Sequence, residues 1–431
     1  MIALALALRE RGHHVRVAAP SSFEGSVLAW GLEYLGVGVD LRQILASEAG
    51  LEWFTAGSNP ISAVRSLKRI ADAMASEFVP AALRSIENAD AVVTTPMGVP
   101  ARQALSADGP PFLLAAPFPV IRTREFPSIL LPTPSLGEAY NELTYRLLEK
   151  LLWLPFRGTA NTQLLRLGRP PIRHNPFTAL HDDRVPVLAA YSSYISPRAS
   201  DWGPHVHVTG YWHLPSPPGW EPSPVLLDFL GSGPPPVYVG MGSMVERDPE
   251  GLATLVMEAL RIAGVRAILA TGWGALQGTS SDDILVMEDV PHHWLFPRVA
   301  AIVHHGGAGT TAAALRAGVP AVICPYVSDQ FYWARRASSL GAGPPPVPRK
   351  RLTAQRLGRA IRAAVVSHPY RTRCRELAAV LTTEDGPSRA AEAIELSLAS
   401  RGPRTSPRTA SITGDVTSSS EIAASARTPS I

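Results

Sequence analysis

The sequence predicts an α/β protein built from two doubly wound domains, and three observations carry that prediction. The first is the stretch from Ala300 to Pro320. There the apolar run Ala300-Ala301-Ile302-Val303 enters the turn His304-His305-Gly306-Gly307-Ala308-Gly309, and an alanine-rich segment leaves it, with Gly318 and Pro320 as stop signals. That order is strand, glycine turn, helix. The second observation is that short apolar runs of buried-strand character recur in both halves, separated by helical patterns. The third is the proline-dense connector Leu214-Pro215-Ser216-Pro217-Pro218-Gly219-Trp220-Glu221-Pro222-Ser223-Pro224, of the kind that joins domains as a semi-rigid spacer.

Taken in order, Leu4 to Arg9 reads as a helix stopped at Gly12, and Val15 to Pro20 alternates into a strand. Such a sheet begins strand, helix, strand, so a strand is expected before Leu4. His13 and His14 fall on the helix-to-strand turn, where a structural role is expected. Ala91 to Thr95 and Phe112 to Ala116 read as buried parallel strands with a helix around Ala101 to Ser106 between them. From Tyr140 to Trp153 a helical pattern puts Leu143, Leu147 and Leu151 on one stripe with Leu148 and Leu152 beside it. This stripe suits packing, a wall beside an apolar acceptor, or a membrane surface. Val187 to Tyr191 and Val206 to Gly210 are further strands. Beyond the connector, Val237 to Met244 opens a second α/β unit as strand and glycine turn. A helix at Ala253 to Arg261 and strands at Ala267 to Thr271, Ile284 to Met287 and Ala321 to Pro325 complete it. The expected division is 1–213, a linker at 214–224, a second domain at 225–400, and a disordered tail at 401–431 rich in Ser, Thr, Pro and Arg.

Composition narrows the function. At 431 residues, 46% hydrophobic and 18% charged, the chain is an ordinary globular protein with room for two cores. The net charge of +4 is small, and half of it comes from the tail, where four arginines face Asp415 and Glu421. Nucleic-acid binding is therefore not expected. The basic stretch from Arg349 to Arg375 reads as a solvated helical face. Cys324 and Cys374 form no close-spaced ligand pair, so neither a zinc site nor a disulfide framework is expected. No run approaches membrane-spanning length, and Met1 to Leu8 lacks a basic segment before it, which gives a cytoplasmic expectation.

In an open parallel sheet the ligand lies beyond the carboxyl ends of the strands. The loops that would meet there carry Gly242-Ser243-Met244, Thr271-Gly272-Trp273-Gly274, Val290-Pro291-His292-His293-Trp294, the His305 turn, and Ser328-Asp329-Gln330. Glycines admit a close ligand, and the free N–H groups near Gly309 to Thr311 suit a diphosphate. Ser243, His305, Gly309 and Thr310 could hold phosphates, Trp273 or Trp294 could cover a base, and Asp329 and Gln330 suit sugar hydroxyls. No G-x-x-x-x-G-K-[ST] motif is present, so phosphoryl transfer is not indicated.

The run His304-His305-Gly306-Gly307-Ala308-Gly309-Thr310-Thr311, with Gly318-Val319-Pro320, Pro325 and Asp329-Gln330, resembles the nucleotide-sugar signature of UDP-glycosyltransferases of the GT-B fold. It is most similar to their sterol 3β-glucosyltransferase branch. Further similarity lies in Thr123 to Pro127, Leu151 to Arg157, Val208 to Trp212, Pro235 to Gly240, Val290 to Phe296 and Pro348 to Thr353, and covers the chain to about residue 399. The resemblance implies two Rossmann-like domains facing a central cleft, with UDP-glucose as donor substrate, a sterol or other lipophilic alcohol as acceptor, and no cofactor or metal. It implies that His305, Gly306, Gly307, Gly309 and Thr310 bind the diphosphate with Ser243 beside it, that Asp329 and Gln330 face the hexose, and that Val290 and a neighbouring tryptophan hold uracil. Peripheral membrane contact follows from such an acceptor.

Two departures accompany it. Plant members carry a ribose-binding glutamate eight residues after the phosphate histidine, where this chain has Ala313. The family also places a first strand and a loop of the form G-D-V-x-P, which carries the expected catalytic aspartate of the sterol-type branch, directly before the helix at Leu4 to Arg9. The expectation is accordingly that Met1 is an internal methionine or that the chain as given is inactive, and no residue is named as catalytic base. Two other readings are a natural-product glycosyltransferase using another donor such as a dTDP-sugar, and a non-catalytic nucleotide-sugar-binding protein.

Overall fold

The computed structural model describes residues 1–56, 60–102, 109–131, 133–273, 276, 278, 280–399 and 409–413. The chain divides into two compact units. The first takes in Met1–His213, Val327–Tyr332 and the described residues from Thr383 onward; the second takes in Leu214–Tyr326 and Trp333–Thr382.

In the first unit, helix Ile2–Glu10 buries Leu4, Ala5 and Leu8 and ends before Gly12, whose φ of +88° suits glycine. Strands β1 (His14–Ala19), β2 (Glu33–Gly36), β3 (Ala91–Thr94), β4 (Phe112–Ala116), β5 (Val187–Ala189) and β6 (Val206–Val208) follow. β3 and β4 are buried along their whole length, as strands covered on both faces must be, and this is why they read as unbroken apolar runs. Between β2 and β3 lies the long helix Pro60–Ser85, which packs against helix Glu138–Arg166. A short helix, Val99–Arg102, starts the segment expected as helix around Ala101 to Ser106; residues 103–106 lie outside the described ones.

The second unit is a five-stranded parallel sheet in the order β11-β10-β7-β8-β9: β7 (Val237–Gly240), β8 (Ala267–Ala270), β9 (Ile284–Met287), β10 (Ala301–His304) and β11 (Ala321–Ile323). Counted from its own first strand, this is the doubly wound order that reverses direction between β7 and β10. Helix Pro249–Ala263 shows how local chemistry sets the boundaries. The Asp248 carboxylate accepts the Gly251 N–H at 2.8 Å, Pro249 starts the first turn, and Gly264 closes the last with φ +66°.

Besides residues 327–332, expected in the second domain but grouping with the first unit, two parts of the expected domain plan need correction. The carboxyl-terminal helix Gly386–Ala399, expected in the second domain, belongs to the first unit, where it packs on helix Ile2–Glu10. Its Glu395 accepts hydrogen bonds from Arg11 Nε at 2.9 Å and pairs with His13 Nε2 at 2.9 Å, which gives His13 the structural role expected of it. The second correction concerns the tail. Thr409–Thr413 forms a strand, β12, seated between β1 and β3 and parallel to both, so that the sheet runs β2-β1-β12-β3-β4-β5-β6. β1 and β3 present facing rows of backbone donors and acceptors that need partners, and a short segment with two threonines and an isoleucine suits extended backbone.

Hydrogen bonds from Arg11 and then His13 hold the Glu395 carboxyl down at about 2, against 4.5 for an ordinary glutamate. A depressed carboxylate stabilises the fold above its unfolded value and loses that contribution as the pH falls through its folded value. Glu395→Gln is therefore expected to lower the thermal midpoint at neutral pH. The difference from the parent should shrink steadily between about pH 4.5 and about pH 2, as followed by circular dichroism.

Among the described residues no helix is long and apolar enough to cross a membrane, and no group of His, Cys, Asp or Glu could hold a metal ion. Cys324 and Cys374 are buried free thiols, each pushed up to about 12 by burial.

Candidate functional site

The direction reversal of the second sheet fixes where its loops meet. β7 and β10 are neighbours, with Gly240 opposite His304, so the turns that leave their carboxyl ends emerge side by side. Gly306 has φ +93°, and Gly307 caps helix Ala308–Ala317 without a side-chain hydrogen bond. The Thr311 N–H and hydroxyl both donate to the Gly307 carbonyl at 2.9 Å, so Thr311 secures the helix start. The N–H groups of Ala308, Gly309 and Thr310 precede the first intrahelical bond and carry the positive end of the helix dipole. Thr310, 3% exposed, stands among them.

His305 is held edgewise between two glycines. A Cβ at Gly242 would lie 2.7 Å from its Cε1, and one at Gly307 would lie 2.5 Å from its Nε2; both clash. The ring is 4% exposed, its Nδ1 has no hydrogen-bond partner among the described residues, and burial lowers its pKa to about 4. It is thus a neutral imidazole beside a helix start, with an unsatisfied nitrogen, and an incoming anion would supply the missing counter-charge. His304 has a different task. Its Nδ1 accepts the Gly306 N–H at 3.0 Å, fixing the turn, and complete burial keeps the ring neutral. His292 is also buried and neutral, held down to about 3 while it meets the Tyr238 hydroxyl at 3.1 Å and stacks on Phe296.

Of the other expected site residues, Ser243 is buried directly after Gly242. Trp273 joins the same place through its backbone, its N–H donating to the Gly242 carbonyl at 3.2 Å. This approach is close enough that a Cβ at Gly272 would meet that carbonyl at 2.5 Å. Gly274 lies outside the described residues. Val290 is buried at the end of the loop after β9. Trp294 is engaged elsewhere: its ring packs edgewise on Trp220 at 5.4 Å and beneath the Arg298 guanidinium at 4.2 Å. Together with Ser216, whose N–H donates to His293 Nε2 at 3.1 Å, Trp220 fastens the proline-rich connector to the second unit. Asp329 and Gln330 fall in the segment Val327–Tyr332 that groups with the first unit, where the Tyr332 hydroxyl meets Ser196 Oγ at 2.7 Å. The second unit by itself therefore gathers Ser243, Trp273, His305, Gly306, Gly307, Gly309 and Thr310. Ser328, just before Asp329, holds φ +58°, a strained value for serine.

One feature of this turn has no signal in the sequence. Glu246, six residues after β7, pairs with Arg349 at 2.7 Å, and the Arg349 N–H donates to the Pro325 carbonyl at 3.0 Å just beyond β11. Partners a hundred residues apart have no shared spacing to betray them. The pair braces the Gly242 turn against the far edge of the sheet. Arg349→Gln is expected to cost about 1.5–3 kcal/mol of stability. Glu246→Gln combined with it should cost less than the two single losses added, as urea denaturation would measure.

Residues 266–396 match the family described as "Erythromycin biosynthesis protein CIII-like, C-terminal domain". The chain is 33% identical over 404 residues to sterol 3-beta-glucosyltransferase UGT80B1 of Arabidopsis thaliana, covering 91% of this chain and 65% of that protein. It is 31% identical over 410 residues to the sterol 3-beta-glucosyltransferase of Emericella nidulans, covering 91% of this chain and 28% of the fungal protein. The chain thus spans less than two thirds of the length of these relatives. Among solved structures, the glycosyltransferase SnogD from Streptomyces nogalater superposes with TM-score 0.58 at 20% identity, covering 92% of this chain and 95% of SnogD. Glycosyltransferase VinC in complex with DTDP gives TM-score 0.58 at 20% identity, covering 93% of this chain and 96% of VinC. The chain is therefore similar over most of its length to sterol 3-beta-glucosyltransferases, has the GT-B fold, and matches at residues 266–396 the EryCIII-like C-terminal domain.

Proposed function

We propose that this protein is an inverting glycosyltransferase that moves glucose from UDP-glucose to a hydroxyl of a sterol or similar lipophilic alcohol, without a cofactor. In that reaction the acceptor oxygen bonds to the anomeric carbon while the bond from that carbon to the diphosphate breaks. UDP then leaves with the electron pair, and the acceptor proton passes to a base. The observation that carries the reading is the glycine turn at the sheet's direction reversal, where open helix N–H groups and the unsatisfied nitrogen of His305 converge. Such a place stabilises a departing diphosphate. The names of the relatives support the sterol and the glucose. In this reading Ser243 and Thr310 add hydroxyls to the phosphates, Trp273 covers the base beside Val290, and Asp329 and Gln330 serve the hexose. The buried thiols fit a reducing, cytoplasmic setting, and the lipophilic acceptor fits work at a membrane surface.

The test is formation of steryl glucoside from UDP-glucose and a detergent-dispersed sterol, followed by mass spectrometry, with dTDP-glucose run in parallel. Product from UDP-glucose is expected. Product from the dTDP-sugar alone would move the protein to the natural-product reading. Tight UDP binding by calorimetry with no product from any acceptor would make it a nucleotide-sugar-binding protein.

A further inference from the structure

Helix Glu138–Arg166 turns its apolar surface both ways. Toward the interior it buries Tyr145, Trp153 and Leu164, the last two in a cluster with Ile172 that Phe156 and Phe177 complete. Toward solvent it leaves Leu143, Leu147, Leu154 and Leu165 at 58%, 49%, 64% and 61% exposure. At about 100° per residue Leu143, Leu147 and Leu154, all before the internal Pro155, fall within an arc of about 40° and run about 16 Å along the helix axis, while Leu165 lies beyond the proline next to buried Leu164. Exposed leucines scattered singly are ordinary, but three on one side of a helix are not. Leu136, 66% exposed, lies just before the helix begins.

The row has a charged margin. Arg146, Lys150 and Arg157 are exposed and follow one flank of the leucines, about 20–60° away around the helix. Arg146 shares Glu142 with Arg124, and among the described residues neither Lys150 nor Arg157 has an ion-pair partner. At the amino-terminal end Arg124, Leu143 and Arg146 line a depression of about 430 Å³ together with Glu138, Ala139 and Glu142. An exposed apolar stripe bordered by cations, two of which lack an ion-pair partner among the described residues, is complementary to one kind of surface, a bilayer whose headgroups are anionic and whose acyl chains lie a few ångströms deeper.

We propose that this face, Leu143, Leu147 and Leu154 with Arg146, Lys150 and Arg157, docks the first unit onto an anionic phospholipid bilayer, this part of the helix lying parallel to the membrane plane. The inference rests on the membrane contact proposed above and names the surface that makes it. The leucines enter the boundary between headgroups and acyl chains, and the cations stay at phosphate level on one side.

The test is flotation of the full chain with phosphatidylcholine vesicles, with and without phosphatidylserine. The parent protein should float with the serine-containing vesicles and only weakly with the neutral ones, and added salt should weaken it. Lys150→Glu with Arg157→Glu should reduce binding to anionic vesicles by at least 30-fold. Leu143→Ser, Leu147→Ser and Leu154→Ser together should abolish it, while the thermal midpoint stays near the parent value because these side chains are exposed. Failure of the parent to float with either vesicle, or leucine and cation variants that float as it does, would overturn the proposal. So would leucine variants that lose self-association by sedimentation yet keep vesicle binding, since the face would then meet a second copy. Flotation needs no turnover, so its failure and a failure of the transferase reading are told apart by assaying dispersed sterol without vesicles.

Discussion

Replacing His305 with alanine is expected to weaken UDP-glucose binding by about 1.5–3 kcal/mol, roughly 10- to 150-fold, as measured by calorimetry. The imidazole is neutral in the free protein because burial lowers its pKa to about 4. A diphosphate at the Gly306–Thr311 turn would reverse that by favouring the protonated ring, so binding should take up a proton between pH 4 and the raised value in the complex. The binding heat should then vary with the ionisation enthalpy of the buffer, and affinity should rise as the pH falls from 7 toward 5. Both effects should vanish in His305→Ala. Unchanged affinity in the variant would remove His305 from the site.

The largest effect on stability is expected from the tail strand. β12 supplies partners to β1 and β3 at once, with Val17 facing Ile412 on one side and Val93 facing it on the other. Placing proline at Ser411 removes a backbone donor from the centre of the strand and should unseat it. The lost pairings on two edges amount to a cost on the order of 5 kcal/mol, comparable with the whole stability of many domains. Hydrogen exchange at the amides of Ala18 and Val93, which face β12, should accelerate by several orders of magnitude, whereas Val239 in the second unit should be unaffected. Unchanged protection at Ala18 and Val93 would show that β12 contributes nothing to the sheet.

Legibility in the sequence followed the range of the interactions. The β10 turn and the helix after it could be read, because glycine turns and apolar runs announce themselves within twenty residues, whereas the proline-rich stretch at 214–224, read as a linker before a second domain at 225, groups with the second unit. His13 could be placed as structural from the turn it occupies, although its partner Glu395 could not be foreseen. Four features needed the folded chain. β12 has no sequence signal beyond a few threonines and an isoleucine in a polar segment. Gly386–Ala399 reads as one more amphipathic helix, with nothing to say which unit it joins. The bracing of Glu246 by Arg349 and the docking of Trp220 on Trp294 both join residues that only the fold brings together. The leucine stripe of helix Glu138–Arg166 was visible as periodicity, and only burial showed which leucines face outward.

The position of β12 also bears on how the chain is made. Ribosomes deliver residues in order at about 5–20 per second, and the roughly 200 residues between β6 and β12 take about 10–40 s to appear. During that interval the pairing that β12 gives β1 and β3 is not yet made, while the whole second unit is being synthesised and can fold. Two unpaired parallel edges are templates for any strand within reach, including those of another nascent chain on the same messenger. Slowing translation through residues 214–400 should accordingly lower the soluble yield more than slowing it earlier.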